Sequence, residues 1–202
     1  MQEHHQQLVG IGGNGGSGKD SVGNILRDYF EFTHVSCSDF LRQLMTEQDL
    51  GPLNRENMTK AGRILRATKG VAYLVDECLK RNNSVERLAL SGIYSPSEAA
   101  RLQSLGGSVL VVVCRNARTR YERRLLRAEP RDAMSFEHFL EVERQENSGD
   151  ESQQDVAALM KVADITVINE GSVDDLVSSL HVVNQEFSKG TLRERVNEIA
   201  SI

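Results

Sequence analysis

"GIGGNGGSGKDS", residues 10–21, holds six glycines in twelve positions. Glycine loses more conformational freedom on ordering than any other residue, so such a run stays folded only where bare backbone is required. Before it lies "QLVGIG", a short apolar run that reads as a strand. After it lies "SVGNILRDYF", where Val22, Ile25, Leu26 and Tyr29 recur at i, i+3, i+4 and i+7 on one helix face. A strand, a glycine turn and a helix together make the geometry that phosphate requires. Small residues let successive backbone N–H groups point into one concavity, and the helix N-terminus adds partial positive charge.

Gly13-x-x-x-x-Gly18-Lys19 matches the phosphate-binding loop in all but its last position, with Lys19 reaching the β- and γ-phosphates as a point charge. Two other readings use the same letters. Gly10, Gly12 and Gly15, or Gly13, Gly15 and Gly18, satisfy the dinucleotide pattern GxGxxG. That pattern does not call for the lysine, and the ribose-binding carboxylate it needs would have to be Asp39, which sits at a helix start. The third reading is a turn with no ligand. The phosphate loop accounts for most of these residues. Asp20 stands where Ser or Thr usually holds Mg²⁺. A carboxylate there can hold Mg²⁺ directly or through water; the opposite reading is that its charge repels phosphate. Ser21 supplies a hydroxyl one place later, on another side of the helix.

The rest of the chain alternates apolar runs with helical patterns, which implies a parallel sheet covered by helices. Strands are expected at "FTHVSC", "RLALSGI", "SVLVVVC" and "DITVIN". Helices are expected from "SDFLRQLM" with Ser38 as N-cap, over 55–81 with a break near Gly70, and after "SPSE", where Ser95, Pro96 and Glu98 read as a capping box. Further helices follow at 117–128, at 135–146, around Val156, Leu159, Met160 and Ala163, and after Ser172 with Val173, Leu176, Val177 and Leu180 inward. No repeat or linker divides the 202 residues, so one domain spans 1–202, with a lid at about 127–150 and tails at 1–7 and 188–202.

Composition excludes several function classes. The formal net charge of −5 does not mark a nucleic-acid or membrane binder. "VLVVVC" is too short to cross a bilayer, and "MQEHHQQ" lacks a signal-peptide apolar region. Cys37, Cys78 and Cys114 form no CxxC pair and fit buried, reduced thiols in a cytoplasmic protein, with no zinc site.

A second site is expected where the second strand runs into "SCSDFLRQ", because ligands of open α/β sheets sit at the carboxyl ends of the strands. Arg42 supplies a fork for a phosphate on the acceptor, Asp39 an acceptor for its hydroxyl, and Arg63 in "KAGRILR" a second clamp or a solvated cation. "RNARTRYERRLLRAEPR" places seven arginines between Arg115 and Arg131. An RNA- or DNA-binding ATPase would use such a run, but Tyr121 is the only aromatic in it. The other reading is a lid in which Arg127, Arg131 and Arg144 neutralise a moving γ-phosphoryl, with Arg118 and Arg120 left as solvated surface.

"GGNGGSGKDS", "SDFLR", "RYERRLLR", "FLEVERQE" and "ADITVINEGSVDDL" together resemble the P-loop nucleoside monophosphate kinase family over roughly residues 8–182. The nearest look is to adenylate-kinase-like and dephospho-coenzyme-A-kinase-like members, including deoxynucleotide kinases whose loop reads GKD. The resemblance implies a P-loop NTPase fold with a five-stranded parallel sheet flanked by helices and a small helical lid. It implies ATP-dependent, Mg²⁺-assisted transfer to a nucleoside or deoxynucleoside monophosphate, or to dephospho-coenzyme A. Gly13, Asn14, Gly15, Gly16, Ser17, Gly18, Lys19, Asp20 and Ser21 would cradle the ATP phosphates, with Asp20 on the metal. Arg123, Asn169 and Gly171 would border the adenine, and Arg127 and Arg131 would act from the lid. Asp39, Arg42 and Arg63 would face the acceptor. One departure stands out. Relatives end the third strand in an acid and then an arginine, whereas here Ser91 and Tyr94 occupy those places. A nucleotide-binding regulator without turnover is the alternative this departure raises.

Overall fold

The computed structural model describes residues 6–127, 134–146 and 155–189. In chain order these form β1 (Gln7–Gly12), α1 (Lys19–Phe30), β2 (Thr33–Ser36), α2 (Cys37–Glu47), α3 (Arg55–Lys69), α4 (Tyr73–Arg81) and β3 (Arg87–Ile93). There follow α5 (Pro96–Ser104), β4 (Ser108–Val113), α6 (Ala117–Leu126), α7 (Phe136–Glu146), α8 (Val156–Val162), β5 (Ile165–Ile168) and α9 (Val173–Lys189). The strands make one parallel sheet in the order β2-β3-β1-β4-β5. Because β1 and β4 lie inside the sheet and are covered on both faces, they read as nearly continuous apolar runs.

Strand pleating divides these runs between two cores. Leu8, Leu88, Leu90, Val109 and Val111 face α2, α4, α5 and α8, packing on Phe40, Leu74, Leu102 and Leu159. Val9, Ile11, Ala89, Leu110 and Val112 face α1 and α9, packing on Leu26, Phe30, Leu176 and Leu180. The order 3-1-4 puts the turn after β1 at the point where successive connections diverge, which opens a crevice at the carboxyl ends of the strands. The glycine-rich turn lies in that crevice.

The break expected near Gly70 is present: Gly70 adopts φ +114° and ends α3, and α4 starts at Tyr73. Several other expectations are corrected. Ser36, rather than Ser38, caps α2, its hydroxyl accepting from the Asp39 N–H at 3.2 Å; β2 passes into the helix without a loop, so the cap is still a strand residue. Tyr29 is exposed, since the buried stripe of α1 runs from Val22, Ile25 and Leu26 to Phe30. Val173 and Met160 are also exposed. The capping box at Ser95 and Glu98 forms as expected. Gln6, placed by sequence in a tail, is tied down, its amide donating to the carbonyls of Asn82 and Val85, while Gln7 opens β1 in register with Arg87 as "QLVGIG" implies. Of the lid region, α7 is described, while 128–133 and 147–150 lie outside the described residues. Among the described residues no helix is long and apolar enough to cross a membrane, and the three cysteines are buried and unbridged.

Candidate functional site

The loop after β1 bends through glycines at φ +141° (Gly13), +80° (Gly16) and +98° (Gly18). At all three positions a side chain has no room, Gly13 facing the Val112 carbonyl. A Cβ on Gly16 would strike the Arg120 backbone carbonyl, and one on Gly18 would strike the Asn169 amide. Gly18 is the N-cap of α1 and provides no side-chain cap, so the first N–H groups of α1 remain available to a ligand. Ser17 is sealed from solvent, and its Oγ has no hydrogen-bond partner among the described residues. Lys19 is buried at the loop's end, with Nζ 3.9 Å from Asp20 Oδ2 and 5.6 Å from the centre of the Tyr94 ring. A glycine cradle, an uncapped helix start and a buried ammonium suit a polyphosphate.

Cavities open on both sides of this loop. The first, of about 470 Å³, is bordered by Asn14, Gly15, Asp39, Arg42, Arg66 and Arg124. The second, of about 420 Å³, is bordered by Gly16, Gly18, Ser21, Arg123, Asn169 and Gly171. Lys19, Asp20, Asn24 and Arg127 border both. Arg123 Nη1 donates to the Asn169 carbonyl at 3.1 Å, and the Asn169 amide donates to the Ser17 carbonyl at 2.8 Å, which ties β5 and α6 to the loop.

Asp39 and Arg42 are one helical turn apart and form an ion pair at the mouth of the first cavity. Arg63 does not reach that cavity: it is exposed on the outer side of α3. Arg66 is there instead. The inward face of α3 runs through Met58, Ala61, Gly62 and Leu65, so the helical period itself points to position 66 and away from 63. Arg131 lies outside the described residues, and Arg144 is exposed and paired with Glu141 at 2.7 Å.

The arginines of α6 are not interchangeable. Arg118 stacks its guanidinium 3.7 Å above Phe136 from an exposed position. Arg120, expected at the surface, is buried: its Nε donates to Glu143 at 3.2 Å and its Nη1 to the Cys114 carbonyl, which fastens α6 to α7 and to the end of β4. Arg124, which the sequence did not single out, is also buried. It lies 5.4 Å from the Phe139 ring, and its Nη1 is 2.9 Å from where a Cβ on Gly15 would be. Arg127 is exposed and stands 3.6 Å from Asp20.

Asp20 occupies the first turn of α1. Ser91, at the carboxyl end of β3, donates to its Oδ1 at 3.1 Å. Burial on its own would raise the Asp20 carboxyl. Lys19, the Ser91 hydrogen bond, Arg127 and His34 outweigh it and hold the carboxyl below the usual carboxylate range. His34 comes from β2, with Nε2 3.0 Å from Ser91 Oγ and Nδ1 3.2 Å from Asn24 Oδ1. Burial pushes its imidazole below the ordinary value, against the pull of the Asp20 charge. The sequence reading missed His34 and Asn24, since nothing local joins positions 24, 34 and 91.

A family model described as an AAA domain matches residues 12–140, from the end of β1 into α7 and more than half of the chain. The chain belongs to this AAA-domain family. It is similar to a UPF0200 protein of Methanococcus vannielii, 27% identical over 179 residues that cover 87% of this chain and 93% of that one. A UPF0200 protein of Pyrobaculum aerophilum is 28% identical over 189 residues, 93% of this chain and 98% of that one. Among solved structures, TT1252 from Thermus thermophilus superposes with a TM-score of 0.63 at 21% identity, covering 90% of this chain and 98% of that one. Shikimate kinase from Acinetobacter baumannii, in complex with shikimate, gives 0.58 at 14% identity, covering 92% and 96%. At these identities the likeness is one of fold: this AAA-domain chain has the P-loop kinase architecture, a five-stranded parallel sheet flanked by helices.

Proposed function

We propose that the chain is an ATP-dependent phosphotransferase that moves the γ-phosphate of ATP to a small phosphorylated acceptor, in the narrower form a nucleoside or deoxynucleoside monophosphate. The observation that carries this reading is the pair of cavities meeting at one loop, with Lys19, Asp20, Asn24 and Arg127 common to both. A phosphoryl group crossing from one ligand to another needs that arrangement: two sites, with the charges that stabilise the transfer between them. ATP lies in the second cavity, its phosphates in the Gly13–Ser21 cradle and its base between Arg123 and the Asn169–Gly171 turn. The acceptor lies in the first, its phosphate held by Arg42 and Arg66 and its hydroxyl groups by Asp39. Lys19, Arg124 and Arg127 face the transferred group, and Arg131 follows Arg127 in the chain.

The donor set also suits Mg²⁺. The ion takes hard oxygen ligands and is commonly held by one or two carboxylates plus substrate phosphates, and here the Asp20 carboxylate faces the cradle beside the Ser91 hydroxyl. Bound there, Mg²⁺ would supply positive charge against the negative charge that develops during transfer. Asp20 and Ser91 hold their places, and Lys19 and Arg127 balance the remaining negative charge.

ADP release in the presence of Mg²⁺, screened over nucleoside monophosphates, deoxynucleotides and dephospho-coenzyme A, tests the reading. We expect acceptor-dependent release from the native chain and none from Lys19→Ala with its circular dichroism unchanged. Undiminished turnover in that variant would overturn the proposal. ATP binding without release for any acceptor would favour the regulatory reading.

A further inference from the structure

P-loop enzymes divide Mg²⁺ binding between a hydroxyl that follows the loop lysine and a carboxylate at the end of a neighbouring strand. In this chain the residue after Lys19 is a carboxylate, Asp20, and near the end of β3, two residues before its last, stands a hydroxyl, Ser91. The two touch, Ser91 Oγ donating to Asp20 Oδ1 at 3.1 Å. We infer that the two elements have exchanged these duties, so that Asp20 supplies the carboxylate and Ser91 the supporting hydroxyl, and that His34 is the positioning residue that holds the pair in register. The inference rests on the phosphotransferase reading and goes beyond it by assigning roles to Ser91 and His34.

Three observations support it. Ser91 pairs with Ile11 of β1 and Ser36 of β2 across the sheet, so it lies at the level where the glycine loop begins, the level a strand-end acid would need. Ser91 has one hydroxyl proton and two neighbours that can take it, Asp20 and His34. The charged carboxylate is the stronger acceptor. The proton therefore goes to Asp20, and His34 completes the chain by donating Nε2–H to Ser91 Oγ at 3.0 Å. Asn24 Oδ1 lies 3.2 Å from Nδ1 and also accepts from Arg27 Nη1 at 3.3 Å, so turning the amide nitrogen toward an unprotonated Nδ1 exchanges the exposed Arg27 bond for one to the imidazole. Finally, the ring is held by a missing side chain. A Cβ on Gly23 would strike His34 at Nε2, Cδ2 and Cε1, so the imidazole lies directly on the α1 backbone, one turn beyond Asp20.

ATP affinity of the full chain, measured by calorimetry across Mg²⁺ concentrations and in EDTA, tests this without reference to turnover. In the native chain we expect Mg²⁺ to tighten ATP binding. Asp20→Ser and the isosteric Asp20→Asn should each lose most of that gain, roughly tenfold or more, the scale of one charge-assisted contact. The double exchange Asp20→Ser with Ser91→Asp should recover it. His34→Phe keeps a ring on Gly23 but cannot donate. It should raise the Mg²⁺ concentration for half-maximal effect severalfold and leave affinity in EDTA unchanged. Native Mg²⁺ dependence in both Asp20 variants, or a folded double variant no better than Asp20→Ser, would overturn the exchange. A His34→Phe profile identical to the native one would remove the positioning role. A native chain that binds no ATP at any Mg²⁺ concentration would instead overturn the phosphotransferase reading, and this inference with it.

Discussion

Arg66 Nε donates to Glu98 Oε1 at 2.9 Å between side chains that are only 5% and 1% exposed. The second carboxylate oxygen accepts from the backbone N–H groups of Tyr94 and Ser95, so Glu98 is at once the capping partner of α5 and the counter-charge of α3. Removing one member of a buried pair strands the other charge. Arg66→Met should therefore lower unfolding free energy in urea by about 3–5 kcal/mol. Arg66→Met combined with Glu98→Gln should be less destabilised than the single variant, because the stranded charge is gone. A single variant within 1 kcal/mol of the native chain, by the same estimate, would show that Arg66 stands free of Glu98 in solution.

The elements around the loop were legible because each carries its own local signal. β1, the glycine turn and α1 are contiguous, and Ser95-Pro96-x-Glu98 writes its capping box in four adjacent letters. What was not legible depends on neighbours remote in sequence. Arg120 and Arg124 look like surface cations in the arginine run. They are buried because α7 brings Glu143 and Phe139 against them. Ser91 read as a lost acid, and its partner Asp20 is 71 positions away on another element. Arg63 and Arg66 differ by less than one helical turn; the apolar period through Met58, Ala61 and Leu65 carried the signal for Arg66, and it was weak beside the arginine pattern of "KAGRILR".

Gly16 is held at φ +80° beneath the Arg120 carbonyl, where any Cβ collides with backbone that cannot swing aside. Gly16→Ala should cost about 1–3 kcal/mol of stability through this strain, and it should shift the loop's N–H groups away from a bound phosphate. Thermal unfolding with and without ATP checks both effects. The variant should melt lower and gain little from ATP, and an unchanged ATP-induced shift would count against the cradle.

Asp175 accepts from the Ser172 hydroxyl at 2.7 Å and from the Ser172 N–H at 2.8 Å, closing the start of α9 beside the second cavity. These bonds, the hydroxyl's first, hold the Asp175 carboxyl below its ordinary value despite slight desolvation. A group depressed on folding stabilises the native state above its unfolded pKa, and that contribution is lost as pH falls through the folded value. Asp175→Asn should therefore be less stable than the native chain at neutral pH, and the two should converge as the pH falls through the folded value, below the ordinary carboxylate range. Urea midpoints across pH give the comparison, and parallel curves for the two proteins would show that Asp175 carries no such linkage.

Leu126 and Val173 are 85% and 70% exposed, and both border the second cavity, one from the end of α6 and the other from the start of α9. Neither supports the core, so polar substitution there should leave stability within about 0.5 kcal/mol. If the adenine base lies in this cavity, the two apolar side chains become its walls, and covering a leucine contributes about 1.5–3 kcal/mol. Leu126→Ser should weaken ATP binding by roughly tenfold or more while thermal unfolding without nucleotide is unchanged. Val173→Ser should act in the same direction with a smaller effect, since the side chain is shorter. Affinity for inorganic triphosphate, which has no base to cover, should be equal in the native and variant chains. A loss of triphosphate affinity as large as the loss for ATP would place the effect in the phosphate cradle and remove the base from this cavity.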